Sequence, residues 1–185
     1  MGYAQKKKVR LNYQDYIQLP EDKRYELIDG DLYMVPAPIP FHQKVIMYLA
    51  FELQRFVEKQ KIGEIFFAPV DVYLSDEDVV QPDLLFISKN RSGIIEEKYI
   101  CGAPDLVVEV LSPASKARDK GIKKHLYDKF GVQEYWLVDP EAKSIEVLQM
   151  KEAGLKTFKV FAANSSLKSP LLKKLNLSLK KIFRS

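Results

Sequence analysis

An acid inside an apolar run is the first feature of this sequence with chemical consequence. Glu109 lies in the stretch DLVVEVL, residues 105–111, flanked by Val107, Val108, Val110 and Leu111. A strand apolar on both faces is one covered on both sides. A carboxylate left ionised and unpaired there costs several kcal/mol or is forced to take up a proton. A cation is therefore expected beside Glu109, either a bound ion or a basic side chain; a plain structural pairing with Lys or Arg would meet the same need. Asp83 repeats the situation in QPDLLFI, residues 81–87, where Pro82 suits the first position of a strand. If the two strands pair, both carboxylates can leave the same face and share one ion. Such oxygen donors suit Mg²⁺ or Mn²⁺, which keep several waters, better than zinc. Taken singly, an Asp at a strand start is more often a turn or capping residue.

A third component comes from helical spacing. At about 100° per residue from Ile122, Leu126 falls near about 40°, Phe130 about 80°, Tyr127 about 140°, Lys123 about 100° and Asp119 about 60°. Lys123 is thus expected on the apolar arc, facing the Glu109 strand, while Lys120 and Lys124 lie at its edge or beyond. An ion pair between Asp119 and Lys123, one turn apart, would account for both residues without any chemistry. His42 and Glu26 are weaker candidates. His42 shares a helical stripe with Val45, Ile46 and Leu49 and reads equally as a core or capping histidine; Glu26 reads equally as a surface acid beside a hairpin turn.

The elements that must position these residues are legible in outline. Asp29-Gly30 between the apolar runs of residues 25–34 predicts a β-hairpin. The apolar spacing of Val45, Ile46, Leu49, Leu53, Phe56 and Val57 predicts a helix over 42–57, of about four turns, with Gly63 after its end. Strands are predicted near 65–74, 83–87 and 105–111, a helix over about 114–130 closed by Gly131, and strands over 135–138 and 145–148. Hairpin, helix, strands, helix and further strands describe an α/β (mixed α+β) layout, a sheet packed by helices.

Composition bounds the rest. The 185 residues suit one domain, residues 1–185, with 46% hydrophobic and 29% charged side chains. No apolar run approaches the roughly 20 residues that span a bilayer, and the opening MGYAQKKKVRLNYQDY has no apolar core of a secretory signal. A cytoplasmic protein without a membrane partner is expected. Cys101 is the one cysteine, which excludes an internal disulfide and a Cys-based zinc site; its default place is a small buried apolar position. Residues 143–185 hold ten Lys or Arg against two acids, whereas residues 1–142 hold nineteen against twenty-three. The basic C-terminal part reads either as a grip on a polyanion or as an ordinary solvated surface.

Several of these stretches together resemble a known family. YELIDGDLYMVPAP, FHQK at a helix start, QPDLLFI, PDLVVEVLSPAS, the spaced Asp119, Lys123 and Tyr127, QEYWLVDP and the closing SPLLKKLNLSLKKIF are similar to the Uma2 family of restriction-endonuclease-like proteins, from about Asn12 to Phe183. The resemblance implies the PD-(D/E)XK fold, in which a mixed sheet flanked by helices presents an Asp and a Glu on adjacent strands to Mg²⁺. It assigns those positions to Asp83 and Glu109, adds the Val110 carbonyl as a ligand, and raises Glu26 and His42 to pocket residues. The superfamily's lysine position, two residues after the Glu, is Leu111 here, and by resemblance its role passes to Lys123. The implied activity is Mg²⁺-dependent hydrolysis of phosphodiester bonds in DNA, with Mn²⁺ able to substitute. A nuclease-like fold that binds nucleic acid or protein without cutting is the alternative. Edge strands of such sheets can pair across a two-fold axis, which makes a homodimer the expected assembly.

Overall fold

Asp29 and Gly30 both take positive φ, 50° and 72°, as the tight turn between twisted antiparallel strands requires. They join β1 (Arg24–Ile28) to β2 (Asp31–Val35), so the predicted hairpin forms with the register Glu26–Tyr33. The computed structural model describes residues 9–20 and 22–184. Most of the basic N-terminal opening lies outside them. Ahead of the hairpin, Asn12 caps the short helix α1 (Tyr13–Tyr16) through a reciprocal bond with Asp15.

Helix α2 (Pro40–Gln60) is 21 residues long, longer than its apolar spacing suggested, with Pro40 in its first turn and Lys61 in left-handed conformation at its end. There follow β3 (Gly63–Phe67), β4 (Val72–Ser75), β5 (Asp78–Val80), β6 (Leu84–Ser88), a 3₁₀ helix (Lys89–Ile94), β7 (Ile100–Cys101) and β8 (Leu106–Val110). The second helical stretch is α3 (Lys116–Arg118), a π turn (Asp119–Lys123) and α4 (Lys124–Lys129). The chain closes with β9 (Glu134–Asp139), β10 (Ser144–Lys151), β11 (Gly154–Ala162), β12 (Ser166–Leu167), β13 (Leu177–Ser178) and α5 (Leu179–Ile182).

The larger sheet runs β11-β10-β9-β8-β6-β3, with β8 and β9 parallel and the other pairs antiparallel. Helix α2 lays Val45, Leu49, Leu53 and Val57 on one face, against Leu84, Leu106, Val108, Val110 and Trp136. On the opposite face Leu85, Val107, Leu111 and Leu137 meet Leu126 and Tyr127 of α4 and Ile28, Val72 and Val80 of the second sheet, ordered β2-β1-β5-β4-β7. Every residue of β8 is buried, as its apolar character on both faces predicted.

Three expectations are corrected. The single strand predicted over 65–74 is two strands in different sheets: β3 pairs with β6 and β4 with β5 and β7, with Pro69, which has no N–H to offer a ladder, in the crossing. Ile122, placed on the apolar arc by ideal helical spacing, is 45% exposed, because the π turn adds a residue to the turn and rotates what it carries. Cys101 is exposed on β7 instead of buried.

Candidate active site

The antiparallel register of β6 and β8 pairs Leu84 with Val108 and Leu85 with Val107; one step further along, it sets Asp83 opposite Glu109. The alternation of side chains then sends both acids to the face occupied by Leu85 and Val107, where they line one cavity of about 290 Å³. Asp83 Oδ2 accepts the Val110 N–H at 2.7 Å. His42, in the first turn of α2, reaches over from the other side of β8, its Nε2 at 2.7 Å from the Val110 carbonyl oxygen and 3.4 Å from Asp83 Oδ2. His42 is therefore more than a core residue of its helix: it ties α2 to the ends of both acid-bearing strands.

Lys123 comes from the π turn. Its Nζ lies 2.5 Å from Glu109 Oε1 and 2.8 Å from Glu26 Oε1. These acids, not the neighbouring Asp119, are its ion-pair partners, and the local pairing considered from sequence is replaced by contacts between remote segments. Asp119, Lys123 and Tyr127 are nonetheless all buried. In a regular helix a row of every fourth residue drifts around the axis; the extra residue of the π turn offsets that drift and keeps the three inward. Tyr127 donates its hydroxyl to Glu109 Oε1 at 2.8 Å. Glu26, read equally from sequence as a surface acid, is 1% exposed, because the smaller sheet folds over the larger and carries β1 to the cavity. Its Oε1 also accepts the Gln81 N–H at 3.0 Å.

The electrostatics follow from this crowding. Burial pushes Glu109 well above the usual carboxylate range; Lys123 opposes the rise and Asp119, Asp83 and Glu26 add to it. Asp119 is raised in the same way by burial, against the attraction of Lys123. For Lys123 burial alone would favour the neutral amine, but Glu109, Glu26 and Asp119 outweigh it and hold the ammonium above its ordinary value. Burial likewise favours neutral His42, yet the Asp83 hydrogen bond and charge, with the Val110 carbonyl, prevail and raise it. Burial, then Glu109, pushes Tyr127 far up, which keeps it a donor.

The four acids Glu26, Asp83, Glu109 and Asp119 line the cavity with Arg24, Arg118, Lys123 and His42, so the acids outnumber the permanent cations by one and protonation of His42 brings the two signs level. Among the described residues no three His, Cys, Asp or Glu side chains gather into a closed metal cage. The donors on offer are the opposed carboxylates of Asp83 and Glu109 with the adjacent Val110 carbonyl. Such a partial oxygen set fits a hard divalent ion that retains waters and does not fit zinc. Buried side-chain atoms with no hydrogen-bond partner, among the described residues, are Glu26 Oε2, His42 Nδ1 and Arg118 Nε, and each belongs to a residue lining this cavity.

The geometry thus gathers Asp83, Glu109, Val110, Lys123, Glu26 and His42 around one space. Sequence reasoning missed Arg118, whose guanidinium lies over the Tyr33 ring, 5.6 Å from its centroid. No local signal marks it: its burial depends on a hairpin some 85 residues upstream in the chain.

A mixed sheet flanked by helices, with opposed acids at the ends of adjacent strands, defines the restriction-endonuclease-like class of fold. The structure is similar to the crystal structure of a "putative nuclease belonging to DUF820" from Anabaena variabilis, with a TM-score of 0.78 and 24% identity over 94% of this chain and 97% of that one. The chain belongs to the Uma2 family, described as "Putative restriction endonuclease", whose model matches residues 13–180. No curated protein matches it.

Proposed function

We propose that this protein is a Mg²⁺-dependent endonuclease that hydrolyses phosphodiester bonds of DNA. The observation that carries the reading is the opposition of Asp83 and Glu109 on one cavity, with the Lys123 ammonium against Glu109. Asp83, Glu109 and the Val110 carbonyl would hold the ion, and Mn²⁺ could take its place. Bound there, such an ion supplies Lewis acidity toward a phosphate oxygen and lowers the pKa of a coordinated water. Lys123, fixed between Glu26 and Glu109, offers a positive charge to a phosphate oxygen or orients the attacking water. Glu26 positions Lys123, Tyr127 positions Glu109, and His42 holds Asp83 and the Val110 carbonyl in register.

The family supports nucleic acid as the substrate. No helix among the described residues is long and apolar enough to cross a membrane. The reading extends to a single catalytic domain, to a cytoplasmic location where its substrate would be met, and to a homodimer, since cutting both strands of a duplex is served by two sites.

The test is cleavage of plasmid and oligonucleotide DNA by the parent, Asp83→Asn and Glu109→Gln, with calorimetric titration of Mg²⁺. Metal-dependent cutting by the parent alone, and loss of Mg²⁺ binding in both variants, is expected. Equal cutting by all three overturns the assignment of these acids. A parent that binds DNA but neither takes up Mg²⁺ nor cuts is a binding module on a nuclease fold.

A further inference from the structure

Arg118 presents a binding capacity that its protein contacts leave unused. A guanidinium carries donors in a rigid planar fork and no acceptor. Here its Nη2 stands 3.7 Å from Glu26 Oε2, a charge contact too long to count as a hydrogen bond. Its Nε–H is buried and has no acceptor. Its guanidinium carbon lies 5.6 Å from the Tyr33 ring centroid, a cation–π contact, and its side chain is only 15% exposed. Leaving a charged donor buried and unpaired is costly.

The surroundings say what acceptor belongs there. Arg118 lines the same cavity as Asp83, Glu109 and Lys123, together with the apolar stretch of Pro36, Ala37, Pro38 and Ile39. The nearby carboxylates do not meet this need: Glu26 Oε1 is taken by Lys123 and Gln81, and Glu26 Oε2, itself without a hydrogen-bond partner, faces Nη2 at 3.7 Å and leaves Nε unserved. A planar cation with a free edge beside opposed acids matches a tetrahedral oxyanion, whose oxygens accept from an arginine fork.

We propose that Arg118 binds a non-bridging oxygen of a DNA phosphate in this cavity, with Tyr33 and Glu26 acting as the positioning residues that hold its fork. The inference rests on the nuclease reading and names the residue by which that site holds its substrate. Glu26 would set the orientation of the guanidinium through Nη2 while leaving Nε to the phosphate. The rival account is that Arg118 only neutralises Glu26, its Nε being served by water.

The two accounts separate in a binding experiment. The full-length parent and Arg118→Gln are titrated with a fluorescent DNA duplex in Ca²⁺ over a range of salt concentrations. Each phosphate contact contributes about 0.9 to the slope of log affinity against log salt. Arg118→Gln is expected to bind about tenfold more weakly and to lower the slope by about 0.9, as for one lost contact. An unchanged slope and affinity in a variant whose unfolding temperature alone has dropped overturns the proposal in favour of the neutralising role. Arg118→Lys keeps the charge and most of the stem, so it serves if the glutamine variant does not fold. It should keep the slope and lose affinity through loss of the fork, and parent-like affinity there overturns the proposal equally. A parent that binds but does not cut leaves the Arg118 contact measurable. A parent that binds no DNA removes the nuclease reading itself, and the proposal with it.

Discussion

Replacing Lys123 by Met removes one charge from between two buried acids while nearly keeping the volume of the side chain. Lys123 is 2% exposed and Glu109 4%, so Glu109 is poorly solvated once the ammonium is lost. Removing one partner of a buried ion pair typically costs about 3–5 kcal/mol. Protonation sets a ceiling on what Glu109 can contribute. An ordinary glutamate of pKa about 4.3 is neutralised at pH 7 for about 3.7 kcal/mol and at pH 5 for about 1 kcal/mol, at 1.36 kcal/mol per pH unit. In the variant only the Tyr127 hydroxyl is left to oppose the burial that already raises Glu109, so the folded state binds a proton that the unfolded state releases. Stability must then fall as pH rises from about 4.3 toward the raised folded value. Because Glu109 is raised in the parent too, the expected loss relative to the parent stays below these ceilings of about 3.7 kcal/mol at pH 7 and about 1 kcal/mol at pH 5. At pH 7 it lowers the melting temperature by up to roughly 15 °C for a chain of this size. Urea unfolding at both pH values is the assay, with Lys123→Met/Glu109→Gln as the control in which more than half the loss at pH 7 returns. A loss equal at the two pH values, or below about 1 kcal/mol at pH 7, would refute the picture of a buried ammonium compensating Glu109.

Other expectations follow from the same structure. Asp83 and the Val110 carbonyl raise His42 against burial, so the imidazolium adds stability that is full below about pH 6.5 and is lost as pH rises through the raised folded value. An NMR titration of the two histidines in metal-free parent and Asp83→Asn checks this, and a His42 value no lower in the variant contradicts it. Glu134 accepts from Trp136 Nε1 at 2.6 Å and from the Leu171 N–H at 2.8 Å, so Glu134→Leu strands one buried and one part-buried donor and should cost roughly 1–3 kcal/mol in chemical unfolding. Gly154 has φ +88°, and a Cβ there would lie 2.5 Å from Asp128 Oδ2, the carboxylate that accepts the Leu155 N–H. Gly154→Ala should therefore lose roughly 2–3 kcal/mol, and a parent-like melting temperature would mean that the β10–β11 turn yields easily.

The sequence alone determined the elements whose signals are local. The turn chemistry of Asp29-Gly30 marked the hairpin, apolar spacing marked α2, and the acids inside DLVVEVL and QPDLLFI marked β8 and β6 as strands with something to neutralise. Those signals reach only as far as neighbouring residues and periodicity carry. Lys123 was placed inward by an ideal helix, and it does point inward, but the same geometry put Ile122 inside, where it is not. The difference is the π turn, a distortion held by the tertiary contacts of Asp119, Lys123 and Tyr127 and invisible to a fixed period. The division of residues 65–74 between two sheets, the burial of Glu26 and the seat of Arg118 on Tyr33 were likewise decided only in the folded chain. Each depends on which strand a segment meets after a long excursion, as when Glu26 and Lys123 close an ion pair across 97 residues. Local preferences fix what a segment can be, whereas the burial of charge is settled by partners that arrive from elsewhere in the chain.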